Sequence, residues 1–249
     1  MSRLCARVDA DRGDVNPQPF STATYFRAVT DIKIWAYAMI LFSSSTISYA
    51  LAFFLPIILS QSMGFSVGVS QCLNAPPHAF AAAVIYLCGW AGDKYRIRGP
   101  LIIANSLLCI IGLPIMGFLS NPGVRYFGVF LVAAGANANI PAATSFQANN
   151  IRGQWKRAFA SALFVSFGGI GGIAGSLVFR GEDAPTYKPG LYACIACSVL
   201  NIIVVVALTF ALRRLNGQAD RGEKELEYEE VSPGFLSSDV WTRANMVAG

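Results

Sequence analysis

The chain has 249 residues, of which 54% are apolar and 13% charged, with a formal net charge of +5. Its 19 basic and 14 acidic side chains crowd toward the two ends, and only twelve of them fall between Ile34 and Leu212. A water-soluble domain must cover its surface with charge, so lipid is the solvent of this central section, which excludes a soluble enzyme, an all-β secreted module and a disordered protein.

Residues 1–31 contain Asp, Arg, Asn and Pro but no apolar run of signal-peptide length, and are read as a polar cytosolic segment without a cleaved leader. A helix rises 1.5 Å per residue, so about 20 apolar residues cross a hydrocarbon core of roughly 30 Å. No Asp, Glu, Lys or Arg lies between Lys33 and Asp93, a stretch long enough for two spans. Span 1 is placed at Ile34–Leu59 and span 2 at Cys72–Gly92, around a polar break at Ser60–Gln71. Span 3 covers Leu101–Leu119, span 4 Tyr126 to about Ala148, span 5 Ala158–Phe179 and span 6 Leu191–Leu212. The expected fold is all-α and polytopic, six transmembrane helices within residues 32–214, followed by a tail at 215–249 that holds the acidic run Glu223–Glu230. Backbone groups in lipid must be satisfied inside their own segment, and the runs lack the alternation of barrel strands. Pro56, Pro114 and Pro141 then require neighbouring helices or water to take up the carbonyls they free.

Lys and Arg set the orientation. Lys94, Arg96 and Arg98 follow span 2, and Arg152, Lys156 and Arg157 follow span 4. Arg27 and Lys33 precede span 1, while Arg213 and Arg214 close span 6. The opposite side has Arg125, Arg180 and Lys188, partly offset by Glu182 and Asp183. Both termini are therefore expected in the cytosol. The basic balance reflects retained loops and does not call for nucleic acid.

Polar groups at mid-membrane depth are the candidates for chemistry. Asn137 lies twelve residues beyond Arg125, roughly 18 Å from that edge. Asn139 falls on a different face, and span 1 offers Ser43, Ser44, Ser45, Thr46 and Tyr49 at similar depth. Such groups either bond between helices or line a wet cavity, and the set taken together favours the cavity. His78, the only histidine, follows Pro76-Pro77, roughly 22 Å from the cytosolic edge. It could carry a proton or donate to an anion, or be a hydrogen-bonded packing residue. In span 5, Gly168/Gly172 and Gly171/Gly175 form small-xxx-small frames for close helix contact. Gly64-x-Ser66-x-Gly68 matches the nucleophile elbow in letters, but lacks its strand-turn-helix context and a nearby acid. Cys194-x-x-Cys197 lies in an apolar helix without a second pair, so its thiols read as packing groups. No metal, cofactor or enzyme activity is expected.

Gly89-x-x-x-Asp93-Lys94 with Arg96 and Arg98 resembles the loop motif of the major facilitator superfamily. Further strings resemble one branch of it. They are Asp31-x-Lys33-x-Trp35, Phe53-Phe54-Leu55-Pro56, Pro76-Pro77, Asp93-Lys94-Tyr95-Arg96-x-Arg98-Gly99-Pro100, Gly123-Val124-Arg125-Tyr126-Phe127-Gly128, Asn149-Asn150-x-x-Gly153-x-x-Lys156-Arg157-Ala158 and Asp183-Ala184-Pro185-x-Tyr187. From Asp31 to Arg214 they are similar to the second half of the fungal anion:cation symporters, the allantoate, nicotinate and pantothenate permeases. The resemblance implies a half-bundle of six helices whose partner half completes a central cavity. It also implies small organic anions and protons as cargo, and a plasma-membrane location. By resemblance, spans 1, 2, 4 and 5 face that cavity, and Asp93, Arg96, Arg98 and Arg157 belong to a cytosolic gate.

Two functions follow. In the first, the chain takes up small organic anions with protons by alternating access, with Thr46, Tyr49, His78 and Asn137 in the cavity. The missing half is then a separately made N-terminal bundle or a second copy. In the second, the chain is a truncated half-bundle that does not transport, a gene fragment or a regulator of a full-length transporter.

Overall fold

The computed structural model describes residues 28–57, 59, 66–95, 97–151, 154–179, 182 and 187–220. The described residues form six long helices: α1 Ile32–Ile57, α2 Val67–Tyr95, α3 Arg98–Phe118, α4 Pro122–Asn150, α5 Gln154–Val178 and α6 Lys188–Asp220. Each overlaps one expected span and runs beyond it at one or both ends, because polar residues continue the helix after the apolar run stops. Five helices are long and apolar enough to cross a membrane. The exception is α2, whose first turns carry Ser70, Gln71, Asn74, Pro76, Pro77 and His78. Length and composition thus support five spans, one fewer than expected. The polar tail beyond Asp220 and the chain before Ala28 lie outside the described residues.

Local chemistry explains where the helices begin. The Asp31 carboxylate accepts the Lys33 N–H at 3.0 Å and caps α1. Ser66 does the same for α2, accepting from Val69 N at 3.4 Å. That assigns the hydroxyl at the centre of the elbow-like string to a helix start. Asn121 accepts from Gly123 N at 2.9 Å, with Pro122 as the first residue of α4, where its missing N–H costs nothing. Arg125 Nε donates to Met116 O at 2.9 Å, covering an orphan carbonyl in the last turn of α3.

Within α2, Pro77 leaves the carbonyl of Leu73 without its helical N–H. Tyr126 of α4 supplies the missing donor, its hydroxyl 2.9 Å from Leu73 O. A neighbouring helix thus takes up one of the carbonyls that prolines free.

α1 packs against α4, α5 and α6; α4 packs against α1, α2 and α3; and α3 also packs on α6. Exchanging α1 with α4, α2 with α5 and α3 with α6 reproduces these main pairings, so α1–α3 and α4–α6 have the same pattern of neighbours. The apolar window of α1 is 67% buried and that of α5 or α6 only 22%, which puts α1 inside and α5 and α6 at the rim.

The core has layers. One apolar cluster joins Ile47, Phe54, Leu55, Leu113, Met116 and Val132 toward one end of the bundle. A second joins Ile34, Tyr37, Ile102, Phe146, Phe164 and Val205 toward the other. Between them, in chain position on each helix, lie the buried Ser44, Ser106, Asn139 and Asn201. Asn201 Nδ2 donates to Ser44 Oγ at 3.1 Å and reaches Ser106 Oγ at 3.4 Å, and Asn139 Nδ2 donates to Ser106 Oγ at 3.0 Å. This chain of contacts ties α1, α3, α4 and α6 together at mid-depth.

Candidate substrate cavity and cytosolic gate

The polar side chains of α1 point in different directions according to helical phase. Ser44 faces α6 and Ser48 faces α4, while Thr46 is 2% exposed and donates to Phe42 O at 2.8 Å. Ser43 is buried with its hydroxyl unpartnered. Tyr49 is 48% exposed, lies parallel to Phe53 at 6.4 Å, and covers Gly172 of α5. Thr46 and Tyr49 therefore differ in access, although only three residues separate them.

Asn137 of α4 is half-buried beside this face. Ser48 Oγ donates to its Oδ1 at 2.8 Å, and its own Nδ2 donates to Ala133 O at 2.8 Å. A polar bridge thus joins α1 to α4 through Ser48, the residue before Tyr49. Asn139, two residues on, turns inward to Ser106.

His78 sits half-buried on α2, its Nδ1 3.0 Å from Asn74 O. A carbonyl oxygen only accepts, so the neutral ring carries its proton on Nδ1 and leaves Nε2 as the basic nitrogen. No hydrogen bond between His78 and Asn137 or Tyr49 is present among the described residues.

Glycines of α5 let it lie against α1. A Cβ on Gly168 would come within 2.8 Å of Leu41 Cδ2, and one on Gly175 within 3.0 Å of Ala50 N. Gly171 faces the backbone of Phe42, whereas a Cβ on Gly169 would meet open space. A Cβ on Gly172 would lie 3.3 Å from the Tyr49 ring.

At the ends of α2 and α3, Arg98 Nη2 donates to the Asp93 carboxylate in an ion pair, with Asp93 73% exposed. Lys94 lies over the Trp90 ring, 4.6 Å from its centroid. Arg157 is exposed in the first turns of α5, and Arg96 lies outside the described residues. Sequence reasoning missed a second ion pair at this end, Lys156 Nζ to Asp31 Oδ2 at 2.7 Å, which clamps the start of α5 to the start of α1. Burial of Asp31 opposes ionisation, but the Lys156 ammonium and the Lys33 N–H and charge outweigh it and hold the carboxyl below its ordinary value. Both residues belong to the strings quoted above, and only their pairing was invisible. Also missed were Asn105, Ser106 and Asn201. Their signal was available as isolated polar residues within long apolar runs.

The family model of the Major Facilitator Superfamily matches residues 6–176. The chain belongs to the major facilitator superfamily. With five apolar helices of spanning length, it is an integral, multi-pass membrane protein. It is 32% identical over 199 residues to the "High-affinity nicotinic acid transporter" of Saccharomyces cerevisiae, a match that covers 80% of this chain and 37% of that protein. It is 31% identical over 201 residues to the "MFS-type transporter cnsO" of Penicillium expansum, covering 77% and 39%. With the "Major facilitator-type transporter hxnP" of Emericella nidulans it shares 30% over 200 residues, covering 79% and 40%. The chain thus spans about two-fifths of the length of these relatives.

Proposed function

We propose that the chain forms one six-helix half of a transporter that carries small organic anions together with protons by alternating access, α2 being the sixth span. The observation that carries this reading is the Ser48–Asn137 hydrogen bond between α1 and α4, next in the chain to the exposed Tyr49. In this reading Tyr49 and Asn137 border the cavity, the buried Thr46 lies in the wall of α1, and His78 exchanges the coupled proton at Nε2. Asp93, Arg96, Arg98 and Arg157 close the cytosolic side. Residues 1–31 and 215–249 are cytosolic extensions of the 32–214 bundle, so both termini lie inside, and the host is the plasma membrane. A second half completes the site, either an N-terminal six-helix bundle or another copy of this chain. The similarity to the yeast nicotinic acid transporter makes nicotinate the first monocarboxylate to try.

The test is uptake of radiolabelled nicotinate and allantoate into transporter-deficient yeast expressing the chain alone or with the N-terminal half of a full-length relative. Accumulation that rises as external pH falls, and that drops with Asn137→Leu, is the expected result. Absence of uptake in both settings, with the chain present in the membrane fraction, overturns the reading in favour of a non-transporting half-bundle.

A further inference from the structure

A cleft of about 530 Å³ opens where α3 begins and α4 and α6 end. Two cationic side chains line it, Arg98 and Arg213, together with Asn149, Asn150 and the single anion Asp93. Arg98 gives Nη2 to Asp93 and retains its other N–H groups. Arg213 has no ion pair among the described residues. Asp93 is largely solvated, so its field is screened and the cleft keeps a cationic balance. The first turn of α3 adds backbone N–H groups to the wall, since Ile97 offers no side-chain cap.

Gly92 and Arg98 also line a second cavity of about 110 Å³, formed by α2, α3 and α4. Its walls are mostly apolar, including Ile85, Leu101, Ala138 and Pro141. It exists because α2 packs on α4 and scarcely touches α3, and because Gly89 projects nothing into the gap. A cationic chamber at helix ends that shares two wall residues with an apolar furrow between the helices has the polarity of an amphiphile in a bilayer leaflet.

We propose that this composite cleft binds one anionic phospholipid, its phosphate between Arg98 and Arg213 and an acyl chain in the furrow beside Gly89. The proposal depends on the helices crossing a bilayer and is independent of whether the chain transports anything.

The test uses the whole chain reconstituted in phosphatidylcholine nanodiscs doped with phosphatidylglycerol, with retained lipids counted by native mass spectrometry. Preferential retention of one phosphatidylglycerol is expected. Loss of one Arg near a membrane surface is worth about a fivefold change in affinity, the effect expected of Arg213→Gln and of Arg98→Gln. Arg213→Lys should restore most of the retention. Arg214→Gln removes the same charge from the same helix end outside the cleft and should leave retention unchanged. Gly89→Leu, which fills the furrow without altering charge, should weaken retention while circular dichroism stays that of the parent. Equal losses for Arg213→Gln and Arg214→Gln would overturn the proposal by showing general surface attraction. Retention of phosphatidylcholine equal to that of phosphatidylglycerol would overturn it too, as would displacement of the lipid by inorganic phosphate with Gly89→Leu silent.

Discussion

Asp31 does two jobs with one carboxylate. Oδ1 caps α1 through the Lys33 N–H, and Oδ2 holds Lys156 of α5. Its folded pKa lies below the ordinary 3.8, so its contribution to stability is fully present above that value and is lost as pH falls through the lowered one. Asp31→Asn should therefore lower the melting temperature in detergent at neutral pH, and the gap to the parent should close as pH drops below the ordinary carboxylate range. A gap unchanged down to acid pH would mean that Asp31 acts without its charge. Asn137 makes a different prediction. Asn137→Leu leaves Ser48 without its acceptor at the mouth of the proposed cavity, and uptake in the complemented assay should fall at least about tenfold, the loss expected when a positioned polar contact is replaced by an unpaired group. Asn137→Ser should retain part of it. Both residues were visible in the sequence, Asn137 through its depth and Asp31 through a shared string. Their partners were not, because the bonds run between residues 89 and 125 positions apart.

At the scale of helices, glycine placement controls how near α5 comes to α1. Gly171→Leu would drive a side chain into the backbone of Phe42, which cannot yield as a side-chain tip would. A destabilisation of about 2 kcal/mol or more is expected, read as a lower unfolding midpoint. Gly169→Ala, two residues earlier, faces open space and should leave the midpoint unchanged or raise it. The small-xxx-small frames announced this contact, but the frame cannot say which glycine of five meets backbone and which meets a side chain. That depends on the rotation of α5 against α1. The paired prolines of α2 follow the same logic. Tyr126→Phe removes the donor that covers Leu73 O and should cost about 1–3 kcal/mol, the penalty for an unsatisfied buried carbonyl. Reduced stability without loss of helix content would agree, and an unchanged midpoint would mean that water replaces the hydroxyl.

For the molecule as a whole, the chain of contacts Ser44–Asn201–Ser106–Asn139 links α1, α6, α3 and α4. Asn139 and Asn201 share one acceptor, so their effects should not add. In a double-mutant cycle with Leu at both positions, a coupling of about 0.5–1.5 kcal/mol is expected from unfolding in detergent. Simple additivity would place them in separate contacts. The two apolar clusters on either side would hold the bundle compact in either case, and the polar layer sets which depth of one helix meets which depth of another.

The composition alone determined that this chain lives in lipid, that helices carry it and roughly where they run, since a bilayer of fixed thickness demands apolar runs of fixed length and few charges within them. It also carried the family likeness, because the strings at helix ends are local. Only the tertiary structure decided which polar side chains bond across helices and which remain open, that α5 lies on α1 and α2 on α4, and that Asp31 holds Lys156. The reason is geometric. Lipid and α-helix act on every residue through its own composition and spacing, whereas pairing depends on the rotation and tilt of helices far apart in the chain, which no local pattern encodes.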